Sequence, residues 1–188
     1  MEANHHIWDK DAALRMLNNE SERSENTDFL KGIMGPKKQV IVDLGCGPGF
    51  YAMKLKQFAS MLYCLDSSKA MLSLARKRVH GKTVTFLEES ASDISLQDSS
   101  VDIVFMANSF HDMERDKASR EITRILRPGG KIIIVDWKKG SGQNGEGRHG
   151  PPDSLRMSKA NYLEWFPGFK VVKRFDAGKD HFGIVLRR

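Results

Sequence analysis

The chain has 188 residues, 40% of them hydrophobic, which suits one domain with a substantial core and leaves no room for a second catalytic domain. No apolar run approaches eighteen residues and no basic start leads into an apolar segment, so the expectation is neither a membrane span nor secretion but a cytoplasmic protein with two reduced cysteines. The net charge of +6 is uneven. Residues 1–128 carry 18 basic and 18 acidic side chains, and residues 129–188 carry 12 and 6. Dispersed over sixty positions, that excess reads first as solvated surface, while leaving an anionic partner such as nucleic acid open. No cluster of cysteine and histidine shows ligand spacing, so no metal is expected.

Apolar positions from Trp8 to Leu17, with Asp9 and Asp11 in the opening turn, predict a short amphipathic helix. A polar break at Asn18 to Asn26 precedes Thr27-Asp28, which can cap a second helix stopped at Gly35-Pro36. From there strand and helix alternate: strands over 39–44, 61–65, 83–87, 101–107 and 131–136, helices over 50–58, 68–78 and 114–126. Alternation of this kind implies a parallel sheet with right-handed crossovers. A Gly-rich polar stretch from Lys138 to Pro152 predicts a mobile loop within 137–157, next to the substrate site. Ser158 is placed to cap a helix over 159–166, stopped by Pro167-Gly168. The last two apolar runs, Lys170 to Phe175 and His181 to Leu186, flank Asp176-Ala177-Gly178-Lys179-Asp180 and read as a hairpin.

The chemistry concentrates in Val40-Ile41-Val42-Asp43-Leu44-Gly45-Cys46-Gly47-Pro48-Gly49, an apolar strand ending in an acid and three alternating glycines. Glycine permits positive φ and lets bare backbone approach a ligand at the carboxyl edge of a sheet, where open α/β folds bind. Asp66 ends the next apolar run and can accept from both hydroxyls of a ribose, which points to a nucleoside; a capping acid before the helix at Ser68 is the alternative. Dinucleotide fingerprints place their last glycine three positions after the second, but here the interval is two. A P-loop is excluded because no Gly-Lys-Ser/Thr follows. Asp43 would repel phosphate and suits a cation, as in the sulfonium and ammonium of S-adenosylmethionine.

With these residues on the page, the chain resembles the class I S-adenosylmethionine-dependent methyltransferases of the type 11 group, which includes ubiquinone/menaquinone-type enzymes. The resemblance also rests on Val101-Asp102-Ile103-Val104-Phe105-Met106-Ala107-Asn108 and on Arg120-Glu121-Ile122-Thr123-Arg124-Ile125-Leu126-Arg127-Pro128-Gly129-Gly130-Lys131, which match the fourth strand and the turn into the fifth. It covers residues 38 to 136 strongly. It implies a single domain over 1–188 with a Rossmann-like, doubly wound seven-stranded sheet, mostly parallel with an antiparallel last strand and helices on both faces. Residues 1–36 would lie over the cofactor. S-adenosyl-L-methionine would be held by Asp43, Gly45, Cys46, Gly47, Asp66, Ser67, Ser90, Ala91 and Asn108.

Relatives commonly place an Asp after the third strand to read adenine. Here Glu89-Ser90-Ala91 stands there, so Ser90 would accept that hydrogen bond without charge, and Asp93 reads as a solvated turn residue or cap that a shifted loop could bring to the adenine. Asn108-Ser109-Phe110-His111-Asp112 follows the fourth strand. His111 is the candidate base, its ring expected beyond the sheet edge near the transferred methyl, with loop orientation as its alternative role. Asp112 reads as a helix cap. Arg156 could meet an anionic substrate or make a structural ion pair, and His149 and Tyr162 lie on or after the same loop. The reading is methyl transfer to a small molecule by in-line displacement. Its alternatives are an RNA or protein methyltransferase using the basic final third, and an inactive cofactor-binding regulatory protein. Two cysteines are too few for arsenic methylation, and the sequence leaves acceptor and oligomeric state open.

Overall fold

The computed structural model describes residues 9–18, 27–141, 151–156 and 158–188. Its centre is a seven-stranded sheet in the order β3-β2-β1-β4-β5-β7-β6, from β1 (Gln39–Leu44), β2 (Ala59–Asp66), β3 (Val84–Glu88), β4 (Val101–Ala107), β5 (Leu126–Trp137), β6 (Lys170–Asp176) and β7 (His181–Arg187). β1 to β5 run parallel, and β7 runs antiparallel to both β5 and β6. The order reverses beside β1, where the chain crosses from the β1-β2-β3 side to β4. That is the place at which open sheets form a ligand crevice.

Strict alternation along the central strands sends side chains to two layers. Val42, Leu44, Val104, Met106, Ile132 and Ile134 face α5 (Arg115–Ile125) and α6 (Lys159–Trp165). Ile41, Ile103, Phe105, Ile133 and Val135 face α2 (Phe29–Met34), α3 (Ala52–Leu55) and α4 (Lys69–Arg78). Both faces of the parallel strands are buried, so these strands read as nearly continuous apolar runs. α1 (Lys10–Asn18) packs against α4. Trp8, expected at the start of that helix, and most of the polar break after it lie outside the described residues.

Several boundaries differ from expectation. The helix expected over 50–58 is only α3 followed by a 3-10 turn, Lys56–Phe58, because β2 begins at Ala59 rather than 61. β5 begins at Leu126, which pairs with Val101, so Arg127-Pro128-Gly129-Gly130 joins the strand's irregular entry instead of a free turn. Gly130 is required there, since a Cβ would lie 2.8 Å from the Arg127 carbonyl. Ser158 does cap α6, its hydroxyl accepting from the Asn161 N–H while Asn161 bonds back to the Ser158 N–H.

At the sheet's β6 edge, Phe175 pairs with Gly183, and its ring covers the glycine before meeting Phe29 of α2 at 4.4 Å between centroids. A Cβ at Gly183 would fall 2.1 Å from that ring. Gly183→Ala should therefore lose about 1–3 kcal/mol in urea unfolding through overpacking. The double variant with Phe175→Leu should recover part of the loss; equal stability of Gly183→Ala and the parent would show that the ring is not held there.

Candidate cofactor and active site

The glycine loop continues the β1–β2 pairing beyond the strand ends: the N–H groups of Gly45 and Cys46 both donate to the Leu65 carbonyl, at 2.8 and 3.1 Å. Gly45, Gly47 and Gly49 have φ of 72°, 53° and 88°, the left-handed conformation that the alternate glycines anticipate. Bare backbone at two of them serves the protein itself. A Cβ on Gly45 would meet the Ser109 Cβ at 2.5 Å, and one on Gly49 would meet the Val79 side chain at 2.8 Å. Gly45 thus admits the β4 turn, whose Ser109 hydroxyl donates to the Leu44 carbonyl, and Gly49 admits the end of α4.

Asp66 binds this loop to the next helix. One carboxylate oxygen accepts from the Gly47 N–H at 2.8 Å and the other from the Ser68 N–H at 2.9 Å. Ser68 is itself the N-cap of α4, accepting from the Met71 N–H. The capping alternative is therefore met by Ser68, with Asp66 one step removed. Burial raises the Asp66 carboxyl, and its two backbone hydrogen bonds pull it back. Each oxygen still has a lone pair for another donor.

Asp43 is different. It is 2% exposed, and among the described residues its Oδ2 has no hydrogen-bond partner. Burial, with the neighbouring Asp66 charge adding to it, pushes its carboxyl up to about 8. Cys46, beside it, contacts the Cys64 thiol, and that contact together with burial pushes the Cys46 thiol up. Both cysteines are free and buried.

The other expected residues are placed unequally. Ser67 is exposed after Asp66, and Ala91 is buried in the layer of α5 and α6. The Ser90 hydroxyl accepts from the Ser92 N–H at 3.1 Å, and Ser90 forms a bridge with Asp93, so both belong to one tight turn after β3. Asn108 has φ of 54°, and its amide lies 3.2 Å from Nε2 of the buried His181, which stacks on Trp137 at 4.1 Å.

His111 lies in the 3-10 turn that follows β4 and is buried: the side chain is 5% exposed, with Nδ1 3.7 Å from Asp136 Oδ1 and Nε2 3.6 Å from Asp112 Oδ2. Burial alone would lower its pKa, but the attraction of Asp136 and Asp112 outweighs it, and the net direction is upward. Asp112 lies in the 3-10 turn Phe110–Asp112 and does not cap α5, whose N-cap is Glu114. Sequence reasoning missed Asp136, which ends β5 as Asp43 and Asp66 end β1 and β2, and that shared position was the available signal. Tyr162 is fully buried on α6, its hydroxyl donating to Asp136 Oδ2.

Arg156 is held by backbone carbonyls. It is buried and donates to the carbonyls of Pro151, Lys138 and Ser141, with Trp137 beneath it at 5.1 Å. It thereby ties the segment after β5 to the segment before α6. His149 and the centre of the expected mobile loop, 142–150, lie outside the described residues.

Comparison with known proteins agrees with this arrangement. The family model described as a methyltransferase domain matches residues 42–134. A solved structure from Sulfolobus solfataricus, described as a type 11 methyltransferase, is 39% identical, with a TM-score of 0.77 over 88% of this chain and 94% of its own. The chain belongs to the type 11 methyltransferase family. A methyltransferase structure from Aquifex aeolicus, described as dependent on S-adenosylmethionine, is 25% identical with a TM-score of 0.80, covering 95% of this chain and 98% of its own. The ubiquinone/menaquinone biosynthesis C-methyltransferase of Campylobacter jejuni is 28% identical over 71% of this chain and 53% of its own. The chain spans between about a quarter and a half of the length of the curated relatives it matches.

The Asp43 geometry sets a pH dependence for this family member. Its folded carboxyl is raised to about 8, whereas an unfolded carboxyl titrates near 3.8. The unfolded chain therefore binds fewer protons between those values, and stability falls as pH rises through that window, by up to about 1.4 kcal/mol per pH unit, levelling off above the upper value. Asp43→Asn removes the titration. The ligand-free variant should gain on the parent in unfolding free energy from pH 5 to pH 8; a constant difference across that range would show that Asp43 is charged in the folded protein.

Proposed function

We propose that the protein transfers a methyl group from S-adenosylmethionine to a small-molecule acceptor. The observation that carries this reading is the buried Asp43 carboxyl at the end of β1, whose Oδ2 lacks a hydrogen-bond partner among the described residues, one residue before a loop of left-handed glycines. A cationic ligand compensates such a carboxylate, whereas a phosphate would be repelled by it. The residues fit the cofactor. Asp43 would hold its cationic methionine end, the remaining lone pairs of Asp66 its ribose hydroxyls, and Ser67, Ser90 and Ala91 would border the adenine. Gly45, Cys46, Gly47 and Asn108 would shape the backbone around it.

When bound, the cofactor supplies a methyl group made electrophilic by its sulfonium. The protein's part is to place the acceptor in line, keep water out and receive any proton the acceptor gives up. His111, between β4 and α5, is the candidate for that last role.

Two observations support a small molecule over a polymer. Of the twelve basic residues of the final third, these four are engaged within the chain: Lys138 with Asp176 and the carbonyls of Gly178 and Lys179, Arg156 with its carbonyl cage, Lys173 with the Gly32 carbonyl, Arg188 with those of Thr123 and Leu126. The Campylobacter relative is named for quinone biosynthesis. Incubation of the protein with methyl-labelled S-adenosylmethionine and fractionated cell extract is the direct test. Label should enter the small-molecule fraction; label confined to RNA or protein would overturn the acceptor class.

Cofactor binding should also be proton-linked. Because Asp43 is protonated in the free protein and ionised opposite a cation, S-adenosylmethionine affinity should rise about tenfold per pH unit from 5.5 to 7, and Asp43→Asn should flatten that slope. Asp66→Ala should weaken binding at least tenfold, through about 1.5–3 kcal/mol for a charged hydrogen bond. Calorimetry at several pH values reads both. Unchanged affinity in a folded Asp66→Ala protein would leave Asp66 as a backbone clasp alone.

A further inference from the structure

Asp136 is 1% exposed, in the layer between the sheet and α6, and it gathers three groups. Its Oδ1 accepts from the Trp137 N–H at 2.8 Å and lies 3.7 Å from His111 Nδ1; its Oδ2 accepts from the Tyr162 hydroxyl. Tyr162 is fixed in turn. It is fully buried, with the rings of Phe110 at 5.7 Å and Phe182 at 6.3 Å, on a helix capped by Ser158 and Asn161. The His111 end is held by Arg115, which donates to the His111 carbonyl at 3.1 Å. The charged and titratable groups against the ring are thus Asp112 from its own turn, Arg115 from α5, Asp136 from β5 and, through Asp136, Tyr162 from α6.

Carboxylates face both ring nitrogens, Asp112 at Nε2 (3.6 Å) and Asp136 at Nδ1 (3.7 Å). Asp136 is the more deeply buried of the two and the less screened by solvent, so in neutral imidazole the hydrogen stays on the nitrogen facing it and Nε2 keeps its lone pair. Nδ1 has no hydrogen-bond partner within bonding distance at 3.7 Å, and contacts of this kind tighten once a complex forms. The Tyr162 hydroxyl and the Trp137 N–H leave Asp136 oriented while its charge remains available to an imidazolium.

We infer that Asp136 and Tyr162 are positioning residues that hold His111 as a proton acceptor through Nε2, so that the methyl acceptor is a hydroxyl or N–H compound. This rests on the proposed methyl transfer. In the step, the acceptor's O–H or N–H bond breaks and its proton goes to Nε2. The electron pair of that oxygen or nitrogen forms the bond to the methyl carbon, and the C–S pair leaves with sulfur in S-adenosylhomocysteine. The imidazolium then returns its proton to solvent. With His111 raised by two flanking carboxylates, the pH range in which it works as a base moves upward.

The test reads the ring and needs no acceptor. The full chain, with ¹⁵N-labelled histidine and saturated with S-adenosylhomocysteine, is followed by NMR against pH, with His111→Gln identifying the signals among the six histidines. The His111 midpoint should lie above that of an ordinary histidine, and its neutral form should carry the hydrogen on Nδ1. Asp136→Asn should lower the midpoint by about one pH unit or more and mix the tautomers. Tyr162→Phe, the milder variant, should raise the midpoint, because a carboxylate relieved of one donor holds the imidazolium harder. Hydrogen on Nε2 in the parent, or a midpoint unmoved by Tyr162→Phe in the folded protein, would overturn the proposal. A fruitless acceptor search would sink the proposed function and leave this result standing.

Discussion

The Asp66 carboxylate joins what would otherwise be three separate pieces of chain. Its two oxygens take one N–H from the glycine loop and one from the residue that caps α4, so the end of β2, the turn after β1 and the start of a helix share one geometry. A hydrogen bond to an ionised group is worth more than a neutral one, and the partial burial of Asp66 increases that worth while raising the cost of losing either partner. The loop can then be steep and glycine-rich without being loose. Everything described at the sheet's carboxyl edge, from the Ser109 contact with Gly45 to the isolation of Asp43, depends on the loop standing where Asp66 holds it.

The edge also shows a recurrent design. Three parallel strands end in acids, Asp43, Asp66 and Asp136, and each meets a different fate because its neighbours differ. Asp66 is satisfied by backbone, and Asp136 by a tyrosine and a backbone N–H, with a histidine ring close by at 3.7 Å. Asp43 has an oxygen with no partner among the described residues, and burial there pushes the carboxyl up to about 8. Alternation places Asp43 in the layer of α2 to α4 and Asp136 in the layer of α5 and α6. The two buried acids thereby stand on opposite faces of one sheet.

Much of this was legible in the sequence. β1, the glycine spacing and Asp66 follow from residue types whose physical demands are narrow, and the β6–β7 hairpin follows from two apolar runs around a glycine turn. The less legible features depend on distant partners. Nothing local says that Gly45 yields to Ser109, sixty-four residues on, rather than to a ligand. The Arg-Pro-Gly-Gly turn has local turn chemistry, yet pairing of Leu126 with Val101 draws it into β5. Arg156 looks like a ligand for anions because its charge is visible in the sequence, while the carbonyls that surround it are not. Tyr162 and Phe166 stand four residues apart, which marks a buried helix face; the hydroxyl's partner came from a strand twenty-six residues earlier.

Arg156 has an evolutionary consequence. By gripping carbonyls on both sides of the 142–150 interval, it fixes the two points between which that interval must run. Loop closure costs grow only slowly with length once the ends are set, so residues can be added, removed or exchanged there at little expense to the sheet. A lineage built on this frame can change that stretch of sequence while the strands and the Asp66 clasp are inherited unchanged.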